Sequence, residues 1–289
     1  MSWGLITEMG HVSIRTNDLD QSIWDATNLL GLRLTEGKDG VAYLAASDKH
    51  HELVYTEHEQ GGVDLFGLVA RNGDALRQIR KRIVDQGLRI LNDGPTYAGV
   101  EDGFSFVGPE GYGFEVYTGM QKDTAELLSF GPDRYGHINY HPRDTNSMKD
   151  FLTQVLDFRV SDNIGGNAYF LRCNSDHHGI AILPGDGKFH HHAWQAQSVQ
   201  DLTKLGDRLH KVGRELIWGP VRHGAGHNIA CYYVETSGAV VELYTDLEQI
   251  YDDERPPIEW GAEDNWYNMW SPRRPLDFRD FGIQPVAKR

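Results

Sequence analysis

The sequence has few of the features that mark disulfide-stabilised, nucleic-acid-binding or membrane proteins. Its 289 residues include two cysteines, Cys173 and Cys231, without CxxC spacing, as is typical of proteins from a reducing cytosol. Lys and Arg number 28 against 42 Asp and Glu, and this net charge of −14 disfavours nucleic acid or an anionic membrane as partner. The sequence also has no basic leader and no long apolar run. We therefore expect a cytoplasmic protein with neither kind of partner.

The chain contains an internal duplication. Four pairs of motifs return in order at offsets of 126 or 127 residues: GHVSIRTNDL with GHINYHPRDT, AYL with AYF, HHELV with HHGIA, and GFEVYT with VVELYT. A fixed period across the chain is the signature of repeated structural units. The sequence therefore predicts two related halves, residues 1–122 and 133–250, and a C-terminal tail, residues 251–289. Residues 118–136 are predicted to connect the halves through one short helix.

Each half alternates β-rich runs with two amphipathic helices. In DTNSMKDFLTQVLDF, the apolar residues Met148, Phe151, Leu152 and Val155 recur at helical spacing and predict one buried helix face. Runs such as NIACYYVE and AVVELYT are rich in the β-branched and aromatic residues that favour strands. The pattern predicts an α+β architecture of four related units.

The stretch KFHHHAWQA, residues 188–196, contains three consecutive histidines. One or more of them could bind a metal, or all three could belong to a polar strand edge or loop. The sequence by itself leaves His190, His191 and His192 open as candidates.

Three polar residues on separate strand-like segments of the second half suggest a metal site. His137 and His192 each begin a strand, and Glu242 lies inside the apolar run AVVELYT, where an unpaired carboxylate would be costly. Glu242 could instead face solvent at an alternate strand position. Two histidines and one carboxylate are the ligands of the facial triad, which leaves coordination positions open and is typical of non-haem iron(II). Convergence of the three residues is a hypothesis at this point.

The second half resembles the catalytic domain of the type I extradiol (catechol meta-cleaving) dioxygenases of the vicinal oxygen chelate superfamily. The motifs that carry the resemblance are GHINYH, HHGIAI, HHAWQA, GPVRHG and CYYVETSGAVVELYT. The spacings of fourteen residues from His178 to His192 and of ten from Tyr232 to Glu242 also agree with the family pattern. The resemblance implies tandem modules, with four βαβββ-like units forming two incomplete barrels. It also implies that the N-terminal half is non-catalytic and that the tail covers the active-site mouth.

The resemblance also implies a ligand set. In the family pattern the second histidine of a pair binds the metal, so His137, His192 and Glu242 would hold Fe(II), with Mn(II) as the alternative. By the two-residue period of a strand, His191 would then point to the opposite face. His190 has the same parity as His192 and is its rival.

Further roles follow from the resemblance. His178 would be the acid–base residue, Tyr232 and His223 would hydrogen-bond the substrate hydroxyls, and Asn139 would line the pocket. The reaction would insert both atoms of O2 into a catechol-type aromatic diol and give a yellow ring-opened semialdehyde or keto acid. Similar enzymes assemble into homo-oligomers, so a homo-oligomer is expected.

The first half serves as an internal comparison. Counted from His51, Leu65 stands at the position equivalent to His192, and counted back from Glu115, Ser105 stands at the position equivalent to Tyr232. His11 and Glu115 are kept. We therefore expect a working site in the second half only.

Two other functions fit the same superfamily. One is a metal-dependent isomerase or lyase of the glyoxalase type, whose sites usually collect four protein ligands from both halves of a duplicated unit. The other is a non-catalytic small-molecule-binding protein of the same fold. The set of His178, His223 and Tyr232 favours the dioxygenase over both.

Overall fold

The computed structural model describes residues 3–123, 130–261 and 263–287. The short helix predicted within the connector falls largely on residues 124–129, which lie outside the described residues. Each half of the chain forms one mixed sheet with helices packed on it.

The first half contains eight strands. They are β1 (Ile6–Thr16), β2 (Arg33–Lys38), β3 (Val41–Ala45), β4 (Leu53–Glu57), β5 (Gly62–Ala70), β6 (Ile90–Asn92), β7 (Val100–Val107) and β8 (Gly113–Met120). The helices are α1 (Leu19–Trp24), which continues as a π-helical turn (Asp25–Leu30), and α2 (Gly73–Asp85), and a 3-10 turn spans Pro109–Gly111. The strand order in the sheet is β2-β3-β4-β1-β5-β8-β7-β6.

The second half repeats this arrangement. Its strands are β9 (Arg134–His141), β10 (Arg159–Ile164), β11 (Ala168–Arg172), β12 (Ile180–Ile182), β13 (Lys188–Gln195), β14 (Trp218–Arg222), β15 (Ile229–Val234) and β16 (Val240–Thr245), with helices α3 (Thr145–Gln154) and α4 (Val199–Lys211). The sheet order β14-β15-β16-β13-β9-β12-β11-β10 matches that of the first half strand for strand, and β17 (Ile258–Trp260) extends it beside β10. The prediction of an α+β fold with four duplicated βαβββ units is confirmed.

Side-chain caps explain where three of the helices begin. Asp18, Asn72 and Asp144 each accept a hydrogen bond from a backbone N–H in the first turn of α1, α2 and α3. The π-helical turn after α1 ends at Gly31, whose φ of 94° favours glycine. These helices bury their apolar faces on the sheets, as the periodicity predicts.

The two halves share one core. The Phe66 ring lies 5.6 Å from Tyr140 and 5.3 Å from Phe189, and Phe106 lies 6.2 Å from Phe151. The buried Asp25 carboxylate binds Arg214 across the same boundary, with Nη1 2.7 Å from Oδ1. Aromatic packing and the ion pair of buried Asp25 with partly exposed Arg214 therefore hold the second half against the first.

The tail runs back over the second half. The Arg172 guanidinium donates to the backbone carbonyls of Asp253 and Arg255, and Ile283 exchanges backbone hydrogen bonds with Phe189. A 3-10 turn spans Phe278–Asp280. These contacts bring the tail against β13, where the candidate site lies. Among the described residues, none of the helices has the length and apolar character needed to cross a membrane.

Candidate metal centre and its cavity

Three buried side chains converge on neighbouring strands of the second sheet. His137 lies on β9, His191 on β13 and Glu242 on β16, and β13 runs between the other two. The register places Ala193 opposite both His137 and Glu242. His137 Nε2 lies 3.1 Å and His191 Nε2 3.0 Å from Glu242 Oε2. The ligand atoms of these three residues all lie within 4.8 Å of one another, which is close enough to hold one ion.

The structure corrects the assignment of His192. On β13, His191 pairs with Asn139 on the cavity side, whereas His192 pairs with Ile138 and Val241, whose side chains are in the core. His192 Nδ1 accepts a hydrogen bond from Trp194 Nε1 at 2.8 Å. Its Nε2 lies 3.4 Å from Glu235, away from the cluster. The prediction of His192 as the third ligand is therefore wrong in geometry, because the pleat turns it to the opposite face.

The error for His192 comes from a count along the chain, and a register shift accounts for the position of His190. The pairing of β13 with β9 is irregular between Phe189 and His191, so His190 and His191 both line the cavity and the parity argument fails there. In the first half Gly67 pairs with His11 and Glu115, and in the second half Ala193 pairs with their counterparts His137 and Glu242. The offset between the two halves on this strand is therefore 126 residues. Leu65 therefore corresponds to His191. Counting fourteen residues from His178 therefore gives His192, one residue beyond the position that faces the cavity.

The electrostatics of the cluster favour the ionised form of the Glu242 carboxyl group. Burial alone would raise the pKa of Glu242, but the imidazoles of His137 and His191 hold it well below its usual range. Burial lowers the pKa of His191, and Glu242 offsets only part of that shift. At neutral pH the cluster therefore offers a carboxylate and neutral imidazole, the forms that bind a divalent metal.

The surrounding contacts fit a metal ion. Asn228 Nδ2 donates to Glu242 Oε1 at 2.9 Å and leaves Oε2 facing the two imidazoles. His190 Nδ1 lies 2.8 Å from His191 Nδ1, so the outer nitrogen of this candidate ligand is also engaged. Metal-binding imidazoles and carboxylates are usually held in this way by neighbouring groups.

His178 stands beside the cluster. Its ring lies 4.3 Å from that of His137, and its Nδ1 lies 3.0 Å from His177 Nδ1. Burial, followed by the neighbouring His137 and His177, holds the pKa of His178 well below its usual value. His177 is itself buried, with Nε2 3.1 Å from Asp162.

Tyr232 and His223 form a pair at the cavity wall. His223 Nε2 lies 2.7 Å from the Tyr232 hydroxyl, and His223 Nδ1 lies 2.7 Å from the carbonyl oxygen of Tyr267 in the tail. Burial lowers the pKa of His223, and burial followed by Glu242 raises that of Tyr232 well above its usual value. Both groups are therefore neutral at pH 7.

The cluster forms the floor of a cavity of about 680 Å³, measured to its open mouth. Asn139 lines it, and its buried Oδ1 has no hydrogen-bond partner among the described residues. Aromatic side chains supply much of the wall: Phe170, Trp218, Tyr232, Trp266, Tyr267 and Phe278. The last three belong to the tail, so the tail forms part of the cavity.

Several residues of this site differ from those that the sequence predicts. The most important is His191. Trp194 gave a signal for it, because a tryptophan two residues after His192 predicts that both of those side chains face the core. Asn228 and Phe278 carry no motif of their own, and only the fold brings them to the cluster.

The corresponding place in the first half is filled. His11 Nε2 lies 3.3 Å from Glu115 Oε2, as in the second half, but Leu65 replaces the second histidine. The Tyr97 ring packs edge-on against His11 at 5.5 Å, and its hydroxyl hydrogen-bonds Ser13, the counterpart of Asn139. A side chain thus takes the space that is cavity in the second half.

The chain is similar over nearly its full length to known proteins. A family model described as the Glyoxalase/Bleomycin resistance protein/Dioxygenase superfamily matches residues 8–116 and 134–243. The chain is 25% identical over 280 residues to the metapyrocatechase of Pseudomonas sp. (strain CF600), covering 88% of this chain and 91% of that protein. It is 24% identical over 307 residues to the manganese-dependent 2,3-dihydroxybiphenyl 1,2-dioxygenase of Geobacillus genomosp. 3, covering 94% and 97%. Among solved structures, the Mn(II)-bound glyoxalase from Novosphingobium aromaticivorans has 28% identity and a TM-score of 0.90, covering 98% and 96%.

Proposed function

This chain belongs to the Glyoxalase/Bleomycin resistance protein/Dioxygenase superfamily, and from that premise we propose that it is an extradiol ring-cleaving dioxygenase. It inserts both atoms of O2 into a catechol-type aromatic diol and releases a yellow ring-opened semialdehyde or keto acid. The proposal rests on the buried cluster of His137, His191 and Glu242 at the floor of an aromatic cavity. The similarity to a metapyrocatechase and to a dihydroxybiphenyl dioxygenase supports it. Residues 133–250 are the catalytic domain, and residues 1–122 are its non-catalytic counterpart.

The cluster would hold Fe(II) through His137 Nε2, His191 Nε2 and a Glu242 oxygen. Mn(II) takes the same ligands, and two of the similar proteins are described as manganese-dependent or Mn(II)-bound. When bound, the metal would supply a redox-active centre at which the diol can react with O2, because spin conservation prevents their direct reaction. The chain contributes one carboxylate and two imidazoles to this centre.

Tyr232 and His223 would orient the diol and take its proton. A carbonyl oxygen only accepts hydrogen bonds, so His223 donates from Nδ1 to Tyr267, and its Nε2 accepts a hydrogen bond from the Tyr232 hydroxyl. The Tyr232 oxygen keeps a lone pair for a substrate O–H. As the diol gives up that proton to Tyr232, Tyr232 can pass its own to His223.

His178 would move a proton on the other side of the centre. It is buried against His137 and neutral at pH 7, so it is ready to accept a proton as the reaction begins. Asn139 offers the substrate a buried amide oxygen that no described residue pairs with. The tail contributes Trp266, Tyr267 and Phe278 to the cavity wall, which supports the proposal that it covers the mouth.

We further propose that the protein works in the cytoplasm as a homo-oligomer. Both cysteines are free and buried, which suits a reducing compartment. Large apolar side chains of the tail are exposed and could be covered by a second copy: Tyr251, Met269, Trp270 and Leu276. Light scattering on the purified protein measures the assembly directly.

A metal-dependent glyoxalase-type isomerase is the second candidate, favoured by the similarity to a solved structure of that name. Within the described residues the metal-ligand cluster draws on the second half only, and its position in the first half is filled by Tyr97. This arrangement, together with the Tyr232–His223 pair, supports the dioxygenase.

The test is anaerobic reconstitution with Fe(II), followed by ¹⁸O2 and a panel of catechols. The proposal predicts a visible absorbance band, one O2 consumed per catechol, and two labelled oxygen atoms in the product. Isomerisation of a thiol adduct of methylglyoxal without O2 uptake would establish the second candidate instead. Glu242→Gln, which removes the charged ligand while keeping its size, is the matched inactive control.

A further inference from the structure

His190 is a buried side chain that the proposed chemistry does not use. It precedes His191 on β13, and its Nδ1 lies 2.8 Å from His191 Nδ1. Its other ring nitrogen, Nε2, lies 2.7 Å from the backbone carbonyl oxygen of Phe278. His190 therefore links a proposed metal ligand to the tail.

These two contacts determine which nitrogens carry protons. The Phe278 carbonyl can only accept, so His190 Nε2 must donate to it. A neutral imidazole has one N–H, so His190 Nδ1 is a bare lone pair and must accept from His191 Nδ1. His191 then has no proton on Nε2, so its lone pair faces Glu242 Oε2 at 3.0 Å. Two acceptors at this distance repel each other, and a bound cation relieves that repulsion. This is the tautomer that binds a metal through Nε2.

The alternative arrangements are unfavourable. If His190 carried its proton on Nδ1, the lone pair of Nε2 would face that of the carbonyl oxygen at 2.7 Å. A doubly protonated His190 would be a buried charge, and among the described residues no carboxylate forms an ion pair with it. Burial of an unpaired cation is costly, so the neutral form is retained.

The acceptor of this chain of hydrogen bonds belongs to a docked segment. We call residues 278–283 the docking segment: Ile283 exchanges backbone hydrogen bonds of 2.8 and 2.9 Å with Phe189, immediately before His190. The Phe278 ring packs 4.7 Å from both His190 and Trp218 and 4.9 Å from Tyr232. If the docking segment lifts, His190 loses its acceptor and either tautomer becomes available to it.

We propose that His190 is a positioning residue that couples the docking segment to metal binding by His191. The inference rests on the metal site of the proposed function. The docked tail selects the His191 tautomer that binds metal, and bound metal in turn favours the docked tail, since such coupling is reciprocal. Occupation of the metal site and closure of the cavity wall are therefore one linked equilibrium.

The test uses the full-length metal-free protein and Mn(II) alone. Free Mn(II) is measured by electron paramagnetic resonance, and tail docking by the rate of tryptic cleavage after Arg279, within the docking segment. Mn(II) should slow cleavage in the wild type. In His190→Leu the Mn(II) dissociation constant should rise by about 10- to 100-fold, as for other partners of ligand histidines. Saturating Mn(II) should no longer protect the tail in this variant.

His190→Gln is the rescuing variant, because its Oε1 can accept from His191 while its Nε2 donates to Phe278. It should restore both affinity and protection towards wild-type values. His210→Leu, on the exposed surface of α4, is the matched control. If His190→Leu unfolds, His190→Ser replaces it as a smaller polar variant that lacks the same two hydrogen bonds.

The possible failures are distinct. Wild-type Mn(II) affinity and protection in His190→Leu, or in His190→Ser, would overturn the inference and leave the proposed function intact. Equal losses in the leucine and glutamine variants would also overturn it, because packing rather than hydrogen bonding would then be responsible. A wild-type chain that binds no divalent metal would overturn the proposed function, and the inference with it.

Discussion

At the scale of single residues, adjacent histidines on one strand have different roles because the pleat separates them. His191 faces the cavity with Asn139, while His192 faces the core with Ile138. His192 is nevertheless fully engaged, since Trp194 donates to it and Glu235 lies beside it. Residue identity alone therefore does not distinguish a ligand from a core histidine, and the strand register does.

His178→Ala should slow turnover without loss of metal. The side chain lies beside His137 but outside the ligand cluster, so removing it takes away a proton acceptor and leaves the ligands in place. We expect kcat to fall by about 10²- to 10⁴-fold, as for other general acid–base residues. Metal content and the anaerobic dissociation constant for catechol should stay near wild type. Loss of metal would show that His178 supports the ligands, and the exposed His210→Ala variant controls for histidine removal.

At the scale of elements, the sequence predicts strands and helices well and predicts register poorly. The apolar spacing of Met148, Phe151 and Leu152 predicts α3, and the β-rich runs predict β15 and β16. The irregular pairing between Phe189 and His191 leaves no mark in the sequence, because either parity of HHHAW would give a plausible strand. The tail could be predicted to cover the site, but not which of its atoms touch it. Those contacts depend on the path of the backbone across β13.

Asn268→Ala should weaken substrate binding through the tail. The buried Asn268 side chain accepts from the backbone N–H groups of Trp270 and Ser271 and donates to the Arg273 carbonyl. These hydrogen bonds fix the turn beside Tyr267, and the carbonyl oxygen of Tyr267 holds the His223 ring. Loss of these hydrogen bonds costs about 1–2 kcal/mol, so KM for catechol should rise roughly tenfold with a smaller change in kcat. Steady-state kinetics measure both constants, with the exposed Asn28→Ala variant as the control. An unchanged KM would show that the turn does not position the cavity wall.

At the scale of the whole molecule, duplication makes the first half a built-in comparison. The repeated motifs predict two equivalent halves, and the identical strand orders confirm it. The two places diverge because Leu65 stands at the position of His191 and Tyr97 fills the space. The missing ligand could be predicted from the alignment of the halves. The filling by Tyr97 could not, because its stretch GPTYAG matches GPVRHG of the second half without showing that a side chain enters the space.

Buried neutral histidines in both halves should make the metal-free protein sensitive to mild acid. Burial, followed by the neighbouring Arg279, lowers the pKa of His141 to about 3, and burial, followed by His11, holds that of His51 well below its usual value. The unfolded chain binds these protons near pH 6.5, and the folded chain does not. Stability is therefore complete above about pH 6.5 and falls as the pH drops from there towards 3, by about 1.4 kcal/mol per pH unit for each such histidine.

Denaturant unfolding of the metal-free protein at several pH values between 7 and 4 measures this slope. His141→Gln should reduce the change of unfolding free energy with pH by about 1.4 kcal/mol per pH unit, the contribution of one histidine. The exposed His210→Gln variant should leave this slope unchanged. A His141→Gln slope equal to that of the wild type would contradict the assignment of a buried neutral His141.

The most direct test of the metal centre is the metal content of three proteins prepared in parallel: the wild type, His191→Ala and His192→Ala. We predict one Fe(II) per chain in the wild type and in His192→Ala, and a dissociation constant raised by more than about a hundredfold in His191→Ala. His192→Ala should instead lose about 1–3 kcal/mol of stability, because Trp194 and Glu235 lose a buried partner. Full metal binding by His191→Ala, with loss in His192→Ala, would contradict the ligand set of His137, His191 and Glu242.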